Sequence, residues 1–274
     1  MGVLPNFIAH RPHVAEHDFT GIVVDANETG LTNGQAVYGF IPVRTCLLGF
    51  HLLKFIIKIL VTYLALTFKT HQGALAEYIR LPAFHVVPRP STLTPIQAAG
   101  LTLAGLTAYR ALFRLAKLEQ GQSIFINGGS TAVGIYATQL AKALGCTVTA
   151  SASAKKEPFV RSLGVDHVSA KIGSWKIKHA EVFHAQFIDY TEAPIHEQLE
   201  RSPPTPKFHV IFETVGGTDV PLYTHCEKYL APGGVFVSVG VMPYDGLGSI
   251  AQACRYALEL YRPRFLGGTN RSWK

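Results

Sequence analysis

Gly129, Thr131 and Gly134 stand between a short β-prone run, Ser123–Asn127, and a run of helical character from Ile135 to Leu144. A strand feeding a glycine turn feeding a helix is a pyrophosphate site. The turn lets phosphates approach the backbone, and free N–H groups with the positive end of the helix dipole hold the charge. The middle glycine of the GxGxxG spacing is replaced here by Thr131, so the spacing alone is a degenerate match. A P-loop is excluded because Gly134 is followed by Ile135-Tyr136 rather than Lys-Ser/Thr.

The next strand, Thr147–Ala150, carries the second clue. A site for NAD places an acid at the end of this strand to accept hydrogen bonds from the ribose 2′-hydroxyl. This chain reads Ser151-Ala152-Ser153-Ala154-Lys155-Lys156, with no acid before Glu157. Hydroxyls followed by two cations suit the 2′-phosphate of NADPH.

The elements that must position these groups alternate along the chain. After the helix ending at Gly145, which is a C′ glycine, come the second strand and a helix over Glu157–Leu163 closed by Gly164. Strands follow at 187–189, 209–212 and 235–239. Strand–helix alternation calls for a parallel sheet covered by helices on both faces. Upstream, Thr94-Pro95 is an N-cap with proline at the first helical position, and helical sequence runs from Ala98 to Leu115 with a break expected at Gly105. His17–Val24 and Ala36–Phe40 read as strands of a second, β-rich unit. The expected division is 1–93, 94–242 and a segment 243–274 that starts a return to the first unit. The fold class is α/β: a Rossmann doubly wound parallel sheet plus a partial β-rich domain.

Composition fits a globular chain: 48% of the 274 residues are hydrophobic and 16% charged. Cys46, Cys146, Cys226 and Cys254 are scattered, which suits a reducing compartment and supplies neither a disulfide scaffold nor a structural zinc set. The N-terminus has no basic start with an apolar run, so a cytoplasmic location is expected. His10, His13 and His17 are not accompanied by a matching cysteine or carboxylate set, so no metal is expected.

Glu16–Gly21, Gly73–Tyr78, Ala104–Tyr109, Asn127–Gly134, Val215–Gly217 and Leu230–Gly234 together resemble the zinc-independent quinone oxidoreductase and enoyl reductase branch of the medium-chain dehydrogenase/reductase superfamily. The matches run in the family's order. The Gly-Gly-Ser-Thr form of the turn is also similar to that of trans-acting enoyl reductases of polyketide synthesis. The resemblance implies a GroES-like domain beside the Rossmann domain, with NADPH as cofactor and an enone or quinone as substrate. It implies that Gly129, Ser130, Thr131, Ala132, Val133 and Gly134 hold the pyrophosphate. Ser153, Lys155, Lys156 and Tyr190 would surround the 2′-phosphate, and Thr107, Val215, Gly216 and Gly240 would line the nicotinamide side. Zinc-using relatives have a cysteine where Leu103 or Ala104 stands here, so this chain is read as zinc-independent. The catalytic proton donor is unassigned. Tyr38, on the strand expected to face the cleft, is the one candidate, and a packed tyrosine is the other account of it. A homodimer is left open.

The chain departs from the family in three ways. Sixteen residues precede His17, and the chain stops soon after Phe265–Gly268, so the resemblance implies truncation at both ends and an incomplete GroES-like domain. Two segments, 43–72 and 168–186, have no counterpart. Each begins with Val and ends with Gln, as in-frame introns bounded by GT and AG would when translated. The first segment holds Arg44, Lys54, Lys58 and Lys69 with no acid, and the second holds Lys171, Lys176 and Lys178 against Glu181. They carry six of the seven net positive charges, which removes the argument for nucleic-acid binding. Cys46–Phe68 is long enough to span a bilayer. Lys54 and Lys58 near its middle each cost about 2.5–3.5 kcal/mol there, so a membrane role is disfavoured. A membrane-attached segment or an insertion remains the alternative to a translated intron. The rival to an active reductase is a chain that binds the cofactor without turnover.

Overall fold

The computed structural model describes residues 16–41, 73–165, 188–191, 193–216, 220–239 and 272–273. The two unmatched segments, Gly240, His10, His13 and the apolar stretch Cys46–Phe68 lie outside those residues. The chain divides into two compact units, Met1–Leu103 and Ala104–Lys274.

The first unit holds an antiparallel sheet of β1 (Asp18–Ile22), β2 (Ala36–Phe40) and β3 (Val86–Pro88), in that order. Helix α1 (Pro95–Ala99) begins as its sequence indicates. The Thr94 side chain accepts from the Gln97 N–H while the Gln97 side chain accepts from the Thr94 N–H, a reciprocal cap that satisfies two otherwise unpaired donors.

Helix α2 (Thr102–Tyr109) runs straight through Gly105, and the turns widen to π geometry over Arg110–Leu115. The break expected at Gly105 falls instead at Gly100, the C-cap of α1.

The second unit is a six-stranded parallel sheet in the order β6-β5-β4-β7-β8-β9. Its strands are β4 (Ser123–Asn127), β5 (Thr147–Ala152), β6 (Ile188–Asp189), β7 (Phe208–Glu213), β8 (Leu230–Ser238) and β9 (Ser272–Trp273). The connections carry α3 (Ala132–Ala143), α4 (Glu157–Ser162), α5 (Ile195–Arg201) and α6 (Val220–Thr224).

Both faces of the sheet are covered, so every residue of the central strand β4 is buried. Strand periodicity sorts the side chains into two cores. Ile124, Ile126, Val210 and Phe212 pack on one face with Leu112 and Ala141. Phe125, Phe208 and Ile211 pack on the other with Leu199, Leu222 and Tyr229. The Phe125 and Phe208 rings stack at 5.5 Å. This is the doubly wound α/β architecture read from the sequence.

On helix α3 the fully buried stripe is Gly134, Ala137, Thr138 and Ala141, while the larger Ile135, Leu140 and Leu144 are only half-buried. These positions keep helical spacing. Small side chains win because the helix lies close to the sheet at its N-terminal end, while the larger residues flank the contact.

Candidate functional site

From β4 the chain steps outward to β5 and β6, then returns to the other side of β4 for β7 and β8. The order therefore reverses between β4 and β7. In open α/β sheets the crevice at the carboxyl ends of such strands is where ligands bind. The glycine turn leaves β4 at that point.

Three glycines set the turn's shape. Gly128 has φ +88°, a conformation L side chains rarely adopt, and a Cβ there would lie 2.7 Å from both Thr214 Oγ1 and Val215 Cγ2. A Cβ on Gly129 would meet the Ala150 side chain at 2.8 Å. At Gly134 it would lie 2.1 Å from the Gly128 carbonyl oxygen. The first turn of α3 thus rests on the strand exit, and only hydrogen fits between them.

Thr131, in place of the motif's middle glycine, is the N-cap of α3. Its Oγ1 accepts the Gly134 N–H at 2.9 Å. The same oxygen lies 2.9 Å from Thr214 Oγ1, and the Thr214 hydroxyl donates to the Asn127 carbonyl at 2.6 Å. A hydroxyl carries one proton, so Thr131 donates to Thr214. The chain of bonds ties the turn after β4 to the turn after β7. The N–H groups of Ser130, Ala132 and Val133 donate to no described residue; they are the open donors at the positive end of a 12-residue helix.

Beneath the turn is a buried polar network. Asn127 is 2% exposed and Glu213 1%. Ser151 Oγ donates to Asn127 Oδ1 at 2.7 Å and accepts the Gly128 N–H at 3.0 Å. Glu213 Oε1 accepts the N–H groups of Val215 at 2.6 Å and Gly216 at 3.0 Å, and Oε2 accepts the Ser238 hydroxyl at 2.9 Å. Each of these residues lies at the carboxyl end of a different strand of the sheet. Ser151, one of the hydroxyls read from the sequence as suiting the 2′-phosphate, is instead fully buried and bonded beneath the turn. Glu213 and Ser238 had no role in that reading, because polar residues at strand ends look ordinary until the strands are ordered.

Strands β5 and β6 pair Ala152 with Asp189. Ser153 and Tyr190, the next residue on each, therefore leave the sheet side by side. Ser153 is half-buried, Tyr190 is 54% exposed, and Lys155 and Lys156 follow as exposed residues of a 3₁₀ turn. Thr107 is half-buried on α2, Val215 is 46% exposed, and Gly216 is buried with φ +123°. The strand order thus brings the glycine turn, Ser153, Tyr190 and Val215–Gly216 to one edge of the second unit.

Tyr38 belongs to the first unit, half-buried in the middle of β2 between Thr20 and Val87. His17 Nδ1 lies 3.2 Å from the Ile41 carbonyl. Burial pushes the Asp18 carboxyl above its ordinary pKa, opposed by the Leu103 N–H, which donates to it at 2.8 Å, and by the charge of His17. Among the described residues no group of three His, Cys, Asp or Glu side chains could hold a metal ion. Also among them, no helix is long and apolar enough to cross a membrane.

The Zinc-binding dehydrogenase family matches residues 132–254. The trans-enoyl reductase poxH of Penicillium oxalicum is 34% identical over 226 residues, covering 74% of this chain and 53% of that protein. The trans-enoyl reductase pgmF of Aspergillus terreus is 32% identical over 205 residues, covering 74% of this chain and 49% of its own. The chain spans about half the length of these curated relatives. Among solved structures, the quinone oxidoreductase from Coxiella burnetii superposes with a TM-score of 0.62 at 24% identity, covering 96% of this chain and 62% of that one. At that identity the likeness carries the fold.

Proposed function

Since the chain belongs to the medium-chain dehydrogenase/reductase superfamily, on its trans-enoyl reductase and quinone oxidoreductase branch, we propose that it is an NADPH-dependent, zinc-independent reductase of an enone or quinone. The observation that carries this reading is the glycine turn at the point where the strand order reverses, with three open N–H donors and with Ser153 and Tyr190 at the neighbouring strand ends.

The residues fit the cofactor. The cradle at Gly128, Gly129 and Gly134 is one that any Cβ would fill. The N–H groups of Ser130, Ala132 and Val133 would hold the pyrophosphate, and Ser153, Lys155, Lys156 and Tyr190 the 2′-phosphate. When bound, the cofactor supplies a hydride for the electron-poor carbon of the enone or quinone, and a proton taken up at the substrate balances the addition. The protein's share is to orient and to exclude water. Thr107, Val215 and Gly216 would line the nicotinamide side. The trans-enoyl reductases among the relatives favour an enoyl substrate.

Fluorescence titration of NADPH against NADH tests the reading. The double variant K155A/K156A removes two cations from the 2′-phosphate. A hydrogen bond to a charged group is worth about 1.5–3 kcal/mol, so NADPH should bind roughly tenfold to a hundredfold more weakly, with NADH unaffected. Equal affinity of the wild type for the two nucleotides would overturn the assignment of the phosphate site. Binding without turnover on a simple quinone and an enoyl thioester would favour a non-catalytic cofactor-binding chain.

A further inference from the structure

Glu213 closes β7 with a carboxyl group that is 1% exposed, and nothing in the proposed reaction uses it. Its Oε1 receives two consecutive backbone N–H groups, from Val215 and Gly216, and Asn127 Nδ2 lies 3.5 Å away. Its Oε2 receives the Ser238 hydroxyl from the adjacent strand β8. Two successive N–H groups on one oxygen curl the chain tightly, and Gly216 adopts φ +123° to allow it.

Peptide geometry then fixes the other side of the curl. In a trans peptide the carbonyl points opposite to the N–H that follows it. The carbonyls of Thr214 and Val215 therefore face away from Glu213, and no described residue donates to either. They stand at the carboxyl end of β7, beside the glycine turn to which Thr214 is hydrogen-bonded.

We infer that Glu213 is a positioning residue. By drawing the two N–H groups inward it turns the Thr214 and Val215 carbonyls outward as paired acceptors for the O–H and N–H donors of the nicotinamide-riboside half of the dinucleotide. The inference rests on the dinucleotide reading of the site and adds a residue and a recognition chemistry to it. It also explains why the carboxyl is buried among donors: its oxygens are spent on shaping backbone.

The test compares NADPH with adenosine 2′,5′-bisphosphate, which lacks the nicotinamide riboside and its phosphate, by calorimetric titration of the full chain. Glu213→Gln keeps an acceptor for both N–H groups and can meet Ser238 with its amide, because a hydroxyl accepts as well as donates. It should hold the ratio of the two affinities within about twofold of wild type, less than the loss of one hydrogen bond. Glu213→Ala and Glu213→Leu remove the acceptor for both N–H groups, release the curl and should lower the ratio about tenfold, the worth of roughly one hydrogen bond, with bisphosphate affinity unchanged. Should the alanine variant fail to fold, the leucine variant fills most of the buried volume and carries the test. A parallel loss for both ligands marks a merely structural residue and overturns the inference, as does an unchanged ratio in Glu213→Leu. A wild type that binds neither ligand overturns the dinucleotide reading itself.

Discussion

Replacing Gly134 with alanine tests the geometry at the centre of the site. The added Cβ would lie 2.1 Å from the Gly128 carbonyl oxygen and 3.0 Å from both the Gly128 carbonyl carbon and the Gly129 Cα. All three are backbone atoms, so no side chain can swing away. Carbon and carbonyl oxygen approach comfortably only to about 3.3 Å, so the first turn of α3 must lift by roughly 1 Å. That movement carries the Gly134 N–H beyond bonding distance of Thr131 Oγ1, now 2.9 Å away. Overpacking of this kind costs about 1–3 kcal/mol and the lost cap about 1 kcal/mol. Exchanging a helical glycine for alanine returns about 0.5–1 kcal/mol, leaving a net loss of about 1–3 kcal/mol. The open N–H groups move with the turn, so NADPH affinity should fall roughly tenfold to a hundredfold, the worth of one hydrogen bond to a charged group. Urea denaturation and fluorescence titration measure the two effects. Gly100→Ala is the control: nothing lies within 4 Å of its Cβ, and the change should stay within about 0.5 kcal/mol. A Gly134→Ala protein with wild-type urea midpoint and wild-type affinity would refute the close approach and the site built on it.

Other outcomes follow from the same contacts. Thr131→Val deletes the cap and the bond to Thr214 and should cost about 1–2 kcal/mol in urea denaturation; a valine variant with the wild-type midpoint would show that the hydroxyl caps nothing. The raised Asp18 pKa means that the native state holds this proton more tightly than the unfolded chain does. Its contribution to stability is fully present below the unfolded value and lost as pH rises through the raised one. Asp18→Asn should therefore flatten that fall in the denaturation midpoint between about pH 3.8 and the raised pKa, while keeping an acceptor for the Leu103 N–H; an unaltered pH profile would count against burial as the cause. Tyr38→Phe separates a proton donor from a packed ring: a donor's loss lowers kcat with KM retained, and a packed ring's hydroxyl leaves turnover as it was.

The local motif was legible because its parts are consecutive in the chain. The run Ser123–Asn127, the glycines that follow and the helix after them fall within some twenty residues, and strand, turn and helix each follow from nearest-neighbour chemistry. The absence of an acid before Glu157 was likewise plain in the sequence, but only the fold separates Ser151, buried beneath the turn, from Ser153, which leaves the sheet. The alternation of elements implied a covered parallel sheet, and the helix caps at Thr94 and Gly145 followed from residue type.

The sequence did not reveal which small residues of α3 would face the sheet, or that α2 would pass through Gly105. Packing distance decided the first, and the site of the preceding C-cap, Gly100, decided the second. Nor did it join Thr131 to Thr214, Gly128 to Ser151, or Asn127 and Ser238 to Glu213, pairs separated by 23 to 86 positions. Each of those residues taken alone is an unremarkable polar group. They become one network only when the strand order reverses between β4 and β7 and lays four strand ends along a single edge. Local propensity acts over a few residues, whereas hydrogen bonding across a sheet depends on which strands are neighbours, and that is settled by packing both faces of the sheet at once.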